Sequence, residues 1–390
     1  MINEITAAEA NSALEAAVSQ VRRNLSVFSD SYPNHSSVNN VYPPIPNTEW
    51  TNGFWPGMIW LAYERTGDDV FKEAGLRHVD SFHRRITNKI AVDTHDMGFL
   101  YTLACSAAYK LTGSERAREA AVLAADQLLS RFHEKGAFLQ AWGALGAPGS
   151  YRYIIDCLMN VPLLYWASAQ TGDAKYSDAA DRHVATTLKY SVRPDGSTFH
   201  TVFMSPETGE MLRGETCQGY SDASSWARGQ AWGILGTALA AKRGDKEAFA
   251  AFKRVTDYYM SRLPEDLVPY WDLIFTEGDE PRDSSSCSIA ACGLMVMAGL
   301  APEQESTRLI SAARKMIKSL MDNYAVKDPA ASNGLVLHAT YSKKSPYNTC
   351  TPEGVDECCI WGDYFYMEAL TRLVAGFENN KIWEAYWDND

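Results

Sequence analysis

Four glycines, Gly67, Gly113, Gly172 and Gly244, each close an apolar helical run and are followed at once by a residue able to cap a new helix. The surrounding residues are Arg65-Thr66-Gly67-Asp68, Leu111-Thr112-Gly113-Ser114, Gln170-Thr171-Gly172-Asp173 and Lys242-Arg243-Gly244-Asp245. Glycine ends a helix in the left-handed conformation, and the Asp or Ser after it accepts from the free N–H groups of the next one. Each quartet therefore predicts a tight helix–turn–helix joint. The glycines stand 46, 59 and 72 residues apart, and Gly299, before Leu300-Ala301-Pro302, predicts a fifth joint. After the first joint, Phe71, Ala74, Gly75, His78, Val79 and Phe82 recur at three- and four-residue spacing, the stripe of an amphipathic helix. Strand signals are confined to the stretches Phe199–Phe203 and Gly334–His338, each after turn residues. The expected fold is all-α, five or six helical hairpins with a few short strands in loops. Such hairpins stack as an open solenoid or close into a ring. Closure is favoured, because the segments before the joints are individually rich in Trp, Tyr, His and Asp, as if lining one shared pocket.

No Pro/Gly/Ser-rich linker divides the 390 residues, so residues 1–390 are expected to form a single domain. No apolar stretch approaches the ~18 residues of a membrane span. The first residues show no basic segment leading into an apolar one, which places the chain in the cytoplasm as an expectation. The eight cysteines lie mostly in apolar helical stretches without paired metal-type spacing and read as buried free thiols. No two histidines stand four apart and HExxH is absent, so neither metal nor other cofactor is expected. A net charge of −12 opposes nucleic acid or a polyanionic polymer as a surface-wide partner. A small anion in a local cationic pocket remains compatible with it.

Asp96, in His95-Asp96-Met97-Gly98-Phe99, and Asp156, in Ile155-Asp156-Cys157-Leu158-Met159-Asn160, each open an apolar helical run with no cation adjacent in sequence. A single aspartate there is explained by helix capping. Two of them, set among Trp, Tyr and His, point instead to paired carboxylate chemistry of the kind used on sugars. A GxSxG elbow, a Walker loop and a GxGxxG between strand and helix are all missing, which leaves acyl transfer, nucleotide hydrolysis and dinucleotide redox without a starting residue.

Further segments suit a carbohydrate site. The loop Asn47–Gly57 holds Trp50, Phe54 and Trp55, either a sugar-stacking platform or a plug for one end of the core; Trp142 is open to the same two readings. Arg228 and Trp232 stand four residues apart on one helix face, a pair suited to a substrate carboxylate beside a ring. His200 and Gln218 add neutral hydrogen-bonding capacity.

Taken together, Asn47–Gly57, His95–Phe99, Asp156–Asn160, Trp226–Trp232 and Gly354–Tyr364 resemble the unsaturated glucuronyl hydrolases, glycoside hydrolase family 88, in order and spacing over almost the whole chain. The resemblance implies an (α/α)6 barrel. It also implies a substrate whose terminal uronic acid carries a C4=C5 double bond, as left by polysaccharide lyases on glycosaminoglycans or bacterial acidic polysaccharides. Asp156 then corresponds to the general acid and base and Asp96 to the second essential carboxylate. His95, His200, Gln218, Arg228 and Trp232 match substrate-binding positions, and Trp50 and Trp142 match aromatic walls. The implied reaction hydrates the vinyl ether rather than attacking the anomeric carbon, so carboxylate spacing does not predict a stereochemical outcome.

In a late loop, Tyr341–Tyr347, Ser342 and Ser345 match two serines that accompany a lysine in family members favouring sulfated fragments; Tyr347 stands where that lysine is expected. The expected partners are unsaturated uronic-acid disaccharides and short oligosaccharides, with no nucleic acid and no membrane. The expected assembly is a monomer or weak homo-oligomer. Two other readings stay open: an unsaturated rhamnogalacturonyl hydrolase, and a catalytically silent barrel that binds acidic sugars.

Overall fold

In a computed structural model, which describes residues 2–379 and 383–388, the joint threonines do two jobs. Thr66, Thr112 and Thr171 each donate to the carbonyl four residues back at 2.6–2.7 Å, and each accepts the N–H two residues ahead at 3.2–3.3 Å. Between those bonds the chain reverses at Gly67, Gly113 and Gly172, with φ of 67°, 69° and 74°, a conformation only glycine adopts without steric cost. Asp68 and Ser114 then accept from Val70 N–H and Ala117 N–H, starting the next helix as expected. The joint at Gly299 is built differently. The helix ends there, but Gly299 keeps φ at −69°, and Pro302 rather than a left-handed turn stops continuation.

The described residues form thirteen α-helices: α1 (Ala7–Asn24), α2 (Phe54–Thr66), α3 (Asp69–Thr87), α4 (Met97–Tyr101), α5 (Ala107–Thr112), α6 (Glu115–Leu129), α7 (Val161–Thr171), α8 (Lys175–Ser191), α9 (Ala227–Lys242), α10 (Lys246–Ser261), α11 (Ser284–Ala298), α12 (Glu303–Ser319) and α13 (Ile360–Asn379). A π-turn over Thr102–Ser106 joins α4 to α5 in one helical run. Hairpin partners pack together as α2 with α3, α5 with α6, α7 with α8, α9 with α10 and α11 with α12, while α13 packs on α1. Around the centre, α13 touches both α2 and α11, α11 touches α9, α9 and α7 both touch the turn Ile155–Met159, α7 touches α4, and the π-turn after α4 touches α2. This closes an (α/α)6 barrel, and the open solenoid is ruled out.

Burial explains which helix of each pair lies inside. All of α11 and Ala227–Ala240 of α9 are buried, and apart from Arg228 and Gln230 near the start of α9 these helices present small or apolar residues on every side. The outer α3 buries only one stripe, including the predicted Phe71, Ala74, Gly75, His78, Val79 and Phe82.

Strands are short: β1 (Tyr32–Pro33) with β2 (Pro44–Ile45), β3 (Phe132–His133) with β4 (Phe138–Leu139), the sheet β5 (Arg152–Ile154), β6 (Thr201–Met204) and β7 (Met211–Glu215), and β8 (Ala339–Ser342) with β9 (Glu353–Glu357). The predicted strand at Phe199–Phe203 appears as β6, shifted toward its end. The one at Gly334–His338 is reduced to a single antiparallel bridge between Val336 and Ala325. Val336 N–H donates to buried Asp363, and His338 turns to φ 62°, so a continuous ladder begins only at Ala339.

Turns from inner to outer helices are tight, whereas the returns to inner helices are long, over 25–53, 88–96, 130–160, 192–226, 262–283 and 320–359. Their unequal lengths produce the irregular glycine spacing. They also place every long loop before the N-terminus of an inner helix.

Candidate active site

The N-terminal ends of α2, α4, α7 and α9 meet at one cavity of about 600 Å³. Its lining includes Trp50 before α2, Asp96 before α4, Asp156 before α7, and Trp226 and Arg228 at the start of α9. The positive ends of these helix dipoles therefore face a common space, which favours an anionic guest in a chain of net negative charge.

Neither aspartate caps a helix with its side chain, although Asp96 stands at the N-cap position of α4. Asp96 makes no cap hydrogen bond and accepts from Thr94 Oγ1 at 2.5 Å. Asp156 lies in a 3-10 turn over Ile155–Met159, one step before α7, and its Oδ1 is buried without a hydrogen-bond partner among the described residues. The long helix expected directly after Asp156 starts only at Val161, because Asn160 intervenes as its N-cap. Carboxylate oxygens of Asp96 and Asp156 and a ring nitrogen of His95 all lie within 4.8 Å of one another. Burial raises the pKa of Asp156 well above the usual carboxylate range; the neighbouring charge of Asp96 adds to that and Arg228 opposes it. The carboxyl thus holds its proton where a solvated aspartate would have lost it.

Sheet pairing positions this acid. His200 carbonyl accepts Ile155 N–H at 3.0 Å, tying the residue before Asp156 to the start of β6. The His200 ring is buried 4.5 Å from Trp226. Cys217 N–H donates to its Nδ1 at 3.1 Å, which leaves the ring proton on Nε2. Burial, with Arg228 and Arg152 nearby, pushes its pKa down to about 3, so the ring is a neutral donor. His95 is likewise held neutral by burial, with Nε2 3.4 Å from Asp96 Oδ1.

The predicted aromatic loop divides between its two readings. Phe54 and Trp55 are core, while Trp50 lines the cavity, stacked on Trp361 at 5.3 Å and donating to Tyr341 Oη at 3.4 Å. Trp142 also lines the cavity and keeps 37% of its surface exposed. Arg228 differs from expectation. It is 1% exposed, donates to the carbonyls of Thr340 and Tyr341 at 2.7 and 2.8 Å, and lies 3.5 Å from buried Asp283. Its guanidinium stacks on Trp226 and Trp361, at 4.3 and 4.7 Å, rather than on Trp232. Trp232 packs instead against Phe99 and Phe365, one turn deeper in the wall. Gln218 donates to Tyr341 carbonyl at 3.0 Å.

The late loop also divides. Ser342 reaches the cavity wall with Oγ donating to Thr351 carbonyl; Ser345 is outside the lining, its Oγ donating to Tyr220 carbonyl at 2.5 Å. Tyr347 is 64% exposed against Tyr220. Six cysteines are buried, whereas Cys217 and Cys350 are half-buried and line the cavity.

Sequence reasoning missed Tyr341, Trp226 and Arg85 as lining residues, although Tyr341 opens the late loop and Trp226 opens the segment that carries Arg228. Arg85 spends its donors on Asn47 Oδ1 and on the carbonyls of Thr48, Glu49, Ile90 and Ala91, bracing the aromatic loop. In sequence it reads as an ordinary helix-end arginine.

An (α/α)6 barrel in which a buried, proton-holding carboxyl faces a second carboxyl at the floor of an aromatic cavity defines a carbohydrate-acting hydrolase. The Glycosyl Hydrolase Family 88 model matches residues 26–371, and the chain belongs to that family. It is 47% identical over 387 residues to the unsaturated chondroitin disaccharide hydrolase of Streptococcus agalactiae serotype III (strain NEM316), covering 98% of this chain and 94% of that one. The crystal structure of unsaturated glucuronyl hydrolase from Streptococcus agalactiae superposes with a TM-score of 0.93 at 47% identity, covering 99% of this chain and 95% of that one. A variant of that enzyme complexed with dGlcA-GalNAc6S superposes with a TM-score of 0.85 at 43% identity over the same shares. Among the described residues, no helix is long and apolar enough to cross a membrane.

Proposed function

We propose that this chain, as one catalytic domain, removes the C4=C5 unsaturated uronic acid from the non-reducing end of short lyase-generated oligosaccharides. The family membership and the likeness to a chondroitin disaccharide hydrolase and to a sugar complex support that substrate class. The observation that carries the mechanism is the buried Asp156 carboxyl, unpaired at Oδ1 and facing Asp96.

A vinyl ether is hydrated by protonating carbon, which needs an acid that still holds its proton near neutral pH. Asp156 delivers that proton to C4, and the positive charge develops at C5, shared with the ring oxygen. Water, deprotonated by the Asp156 carboxylate so formed, adds at C5. The resulting hemiketal opens to a C5 ketone, leaving C1 as a hemiacetal that expels the second sugar. Asp156 is restored to its acid form, and no bond is made to the protein. Asp96 holds the sugar and orders the site, with neutral His95 and His200 donating or accepting at sugar oxygens. Trp50 and Trp142 present apolar faces to the sugar rings, and Arg228, Gln218 and Trp232 shape the wall. On this reading the enzyme is cytoplasmic, acts on imported fragments, and is a monomer or weak oligomer.

Incubation with unsulfated unsaturated chondroitin disaccharide is the test: free N-acetylgalactosamine, detected by mass spectrometry, is the expected product. Faster turnover of an unsaturated rhamnogalacturonan disaccharide would reassign the substrate, and tight binding without any product would leave a silent sugar-binding barrel.

A further inference from the structure

The face of the β5–β6–β7 sheet that carries Ile154 also carries a row of side chains that vinyl ether hydration does not use. Register pairs Arg152 with Phe203 and Phe203 with Arg213, so the three lie abreast across the strands. Arg213 stacks on Phe203 at 4.0 Å; Arg152 stacks on Phe203 at 5.4 Å and, on its other side, on Trp142 at 4.5 Å. Alternation along β5 puts Arg152 on the same side as Ile154, which lines the cavity. Tyr151, Tyr153, Val202 and Met204 fill the opposite side as a separate apolar cluster. The row therefore begins at the Trp142 wall and runs outward from the cavity.

Arg152 is under-used where it stands. Among the described residues it has no carboxylate within ion-pair distance, its Nε is buried without a partner, and Nη1 reaches only Gly149 carbonyl at 3.4 Å. A buried guanidinium donor left unpaired is costly unless a ligand completes it. The two arginines that line the cavity are committed, since Arg85 and Arg228 donate to backbone carbonyls; Arg213, like Arg152 outside the lining, pairs with Glu215. The rim otherwise carries Glu49, Asp93 and Glu353, which repel an anion.

We propose that Arg152, backed by Phe203 and Arg213, is a specificity-determining residue that binds an anionic substituent on the sugars beyond the unsaturated one. The group is a sulfate or a second uronate carboxylate, held by charge-assisted hydrogen bonds while the sugar ring rests on Trp142. This rests on the hydrolase reading and concerns the leaving part of the substrate, on the reducing side of the cleaved bond.

The test measures kcat and KM of wild type, Arg152→Met and Arg152→Lys on three substrates: unsulfated unsaturated chondroitin disaccharide, its 6-sulfated form, and the unsulfated unsaturated tetrasaccharide. Methionine keeps an apolar stem against Trp142 and removes the charge. The expected result is a KM raised about tenfold for an anionic-aglycone substrate, with kcat kept and the unsulfated disaccharide within about twofold. A rise confined to the sulfated disaccharide identifies sulfate as the group; a rise confined to the tetrasaccharide identifies the carboxylate. Arg152→Lys recovers most of the loss. An equal KM change on all three substrates, or none on any, overturns the inference while wild-type turnover keeps the hydrolase reading standing. Wild-type inertness on all three removes both.

Discussion

Gly98 lies so close to Asn160 that a Cβ added to it would stand 2.3 Å from the Asn160 Cα and 2.7 Å from its carbonyl oxygen. The contact joins the segment carrying Asp96 to the segment carrying Asp156. Asn160 completes the junction: its Oδ1 accepts Phe99 N–H at 3.0 Å and its Nδ2 donates to Asp156 carbonyl at 3.4 Å. Backbone packing, not side-chain rotamers alone, therefore sets how near the two carboxyls come.

Gly98→Ala is expected to force those segments apart. Overpacking of this kind costs about 1–3 kcal/mol, and displacement of an acid by about 1 Å lowers kcat by roughly 100-fold. Thermal denaturation and steady-state kinetics check both; a variant with native melting temperature and native kcat contradicts the role of the contact.

Asp156→Asn should be more stable than wild type at neutral pH. A carboxyl whose folded pKa is raised binds its proton more tightly in the native state, so its contribution is most favourable below its unfolded pKa and is lost as pH rises toward the folded value. The amide has no proton to lose. The expected gain is about 1–2 kcal/mol, larger at pH 8 than at pH 5, measured by urea denaturation at both. A variant less stable at pH 8 than wild type opposes the assignment of an unpaired buried acid.

The reaction should weaken on the alkaline side. Protonation of C4 needs the acid form of Asp156, so kcat/KM is expected to fall about tenfold per pH unit above its folded pKa. A rate that climbs steadily into alkaline solution would mean that the working group is a base from the start.

Arg228→Ala should cost about 3–5 kcal/mol, since it strips the carbonyls of Thr340 and Tyr341 of their donor and leaves buried Asp283 without its cation. Arg228→Ala together with Asp283→Asn should recover part of that loss in denaturation experiments. No recovery would show that the carbonyl bonds, not the ion pair, carry the energy.

The hairpins were legible because Thr, Gly and Asp at a joint act within five residues of one another. Closure into a ring was legible only through composition, since the packing of α13 on α1 and α2 joins the two ends of the chain. The aspartates stood out in sequence for being costly, yet their proximity depends on Gly98 against Asn160, 62 positions away, which no local pattern reveals. Trp50 and Trp55, five apart in a stretch expected to be one loop, went to cavity and core because the helix α2 already starts at Phe54 and carries Trp55 inward. Arg228 was chosen for the right place and the wrong ring: four-residue spacing predicts Trp232, whereas the guanidinium folds back over Trp226 and across to Trp361. Ser342 and Ser345 diverged because β8 ends between them, turning the second toward Tyr220.

Protonation of the C4=C5 double bond by Asp156 is the step on which the rest of the chemistry depends. Ultraviolet absorbance of the conjugated unsaturated uronate reads it out, followed with unsulfated chondroitin disaccharide and equal amounts of folded wild type and Asp156→Asn. Absorbance is expected to disappear with wild type, at a rate at least about 1,000-fold higher than with the variant. Comparable loss of absorbance with both proteins would contradict the assignment of Asp156 as the acid.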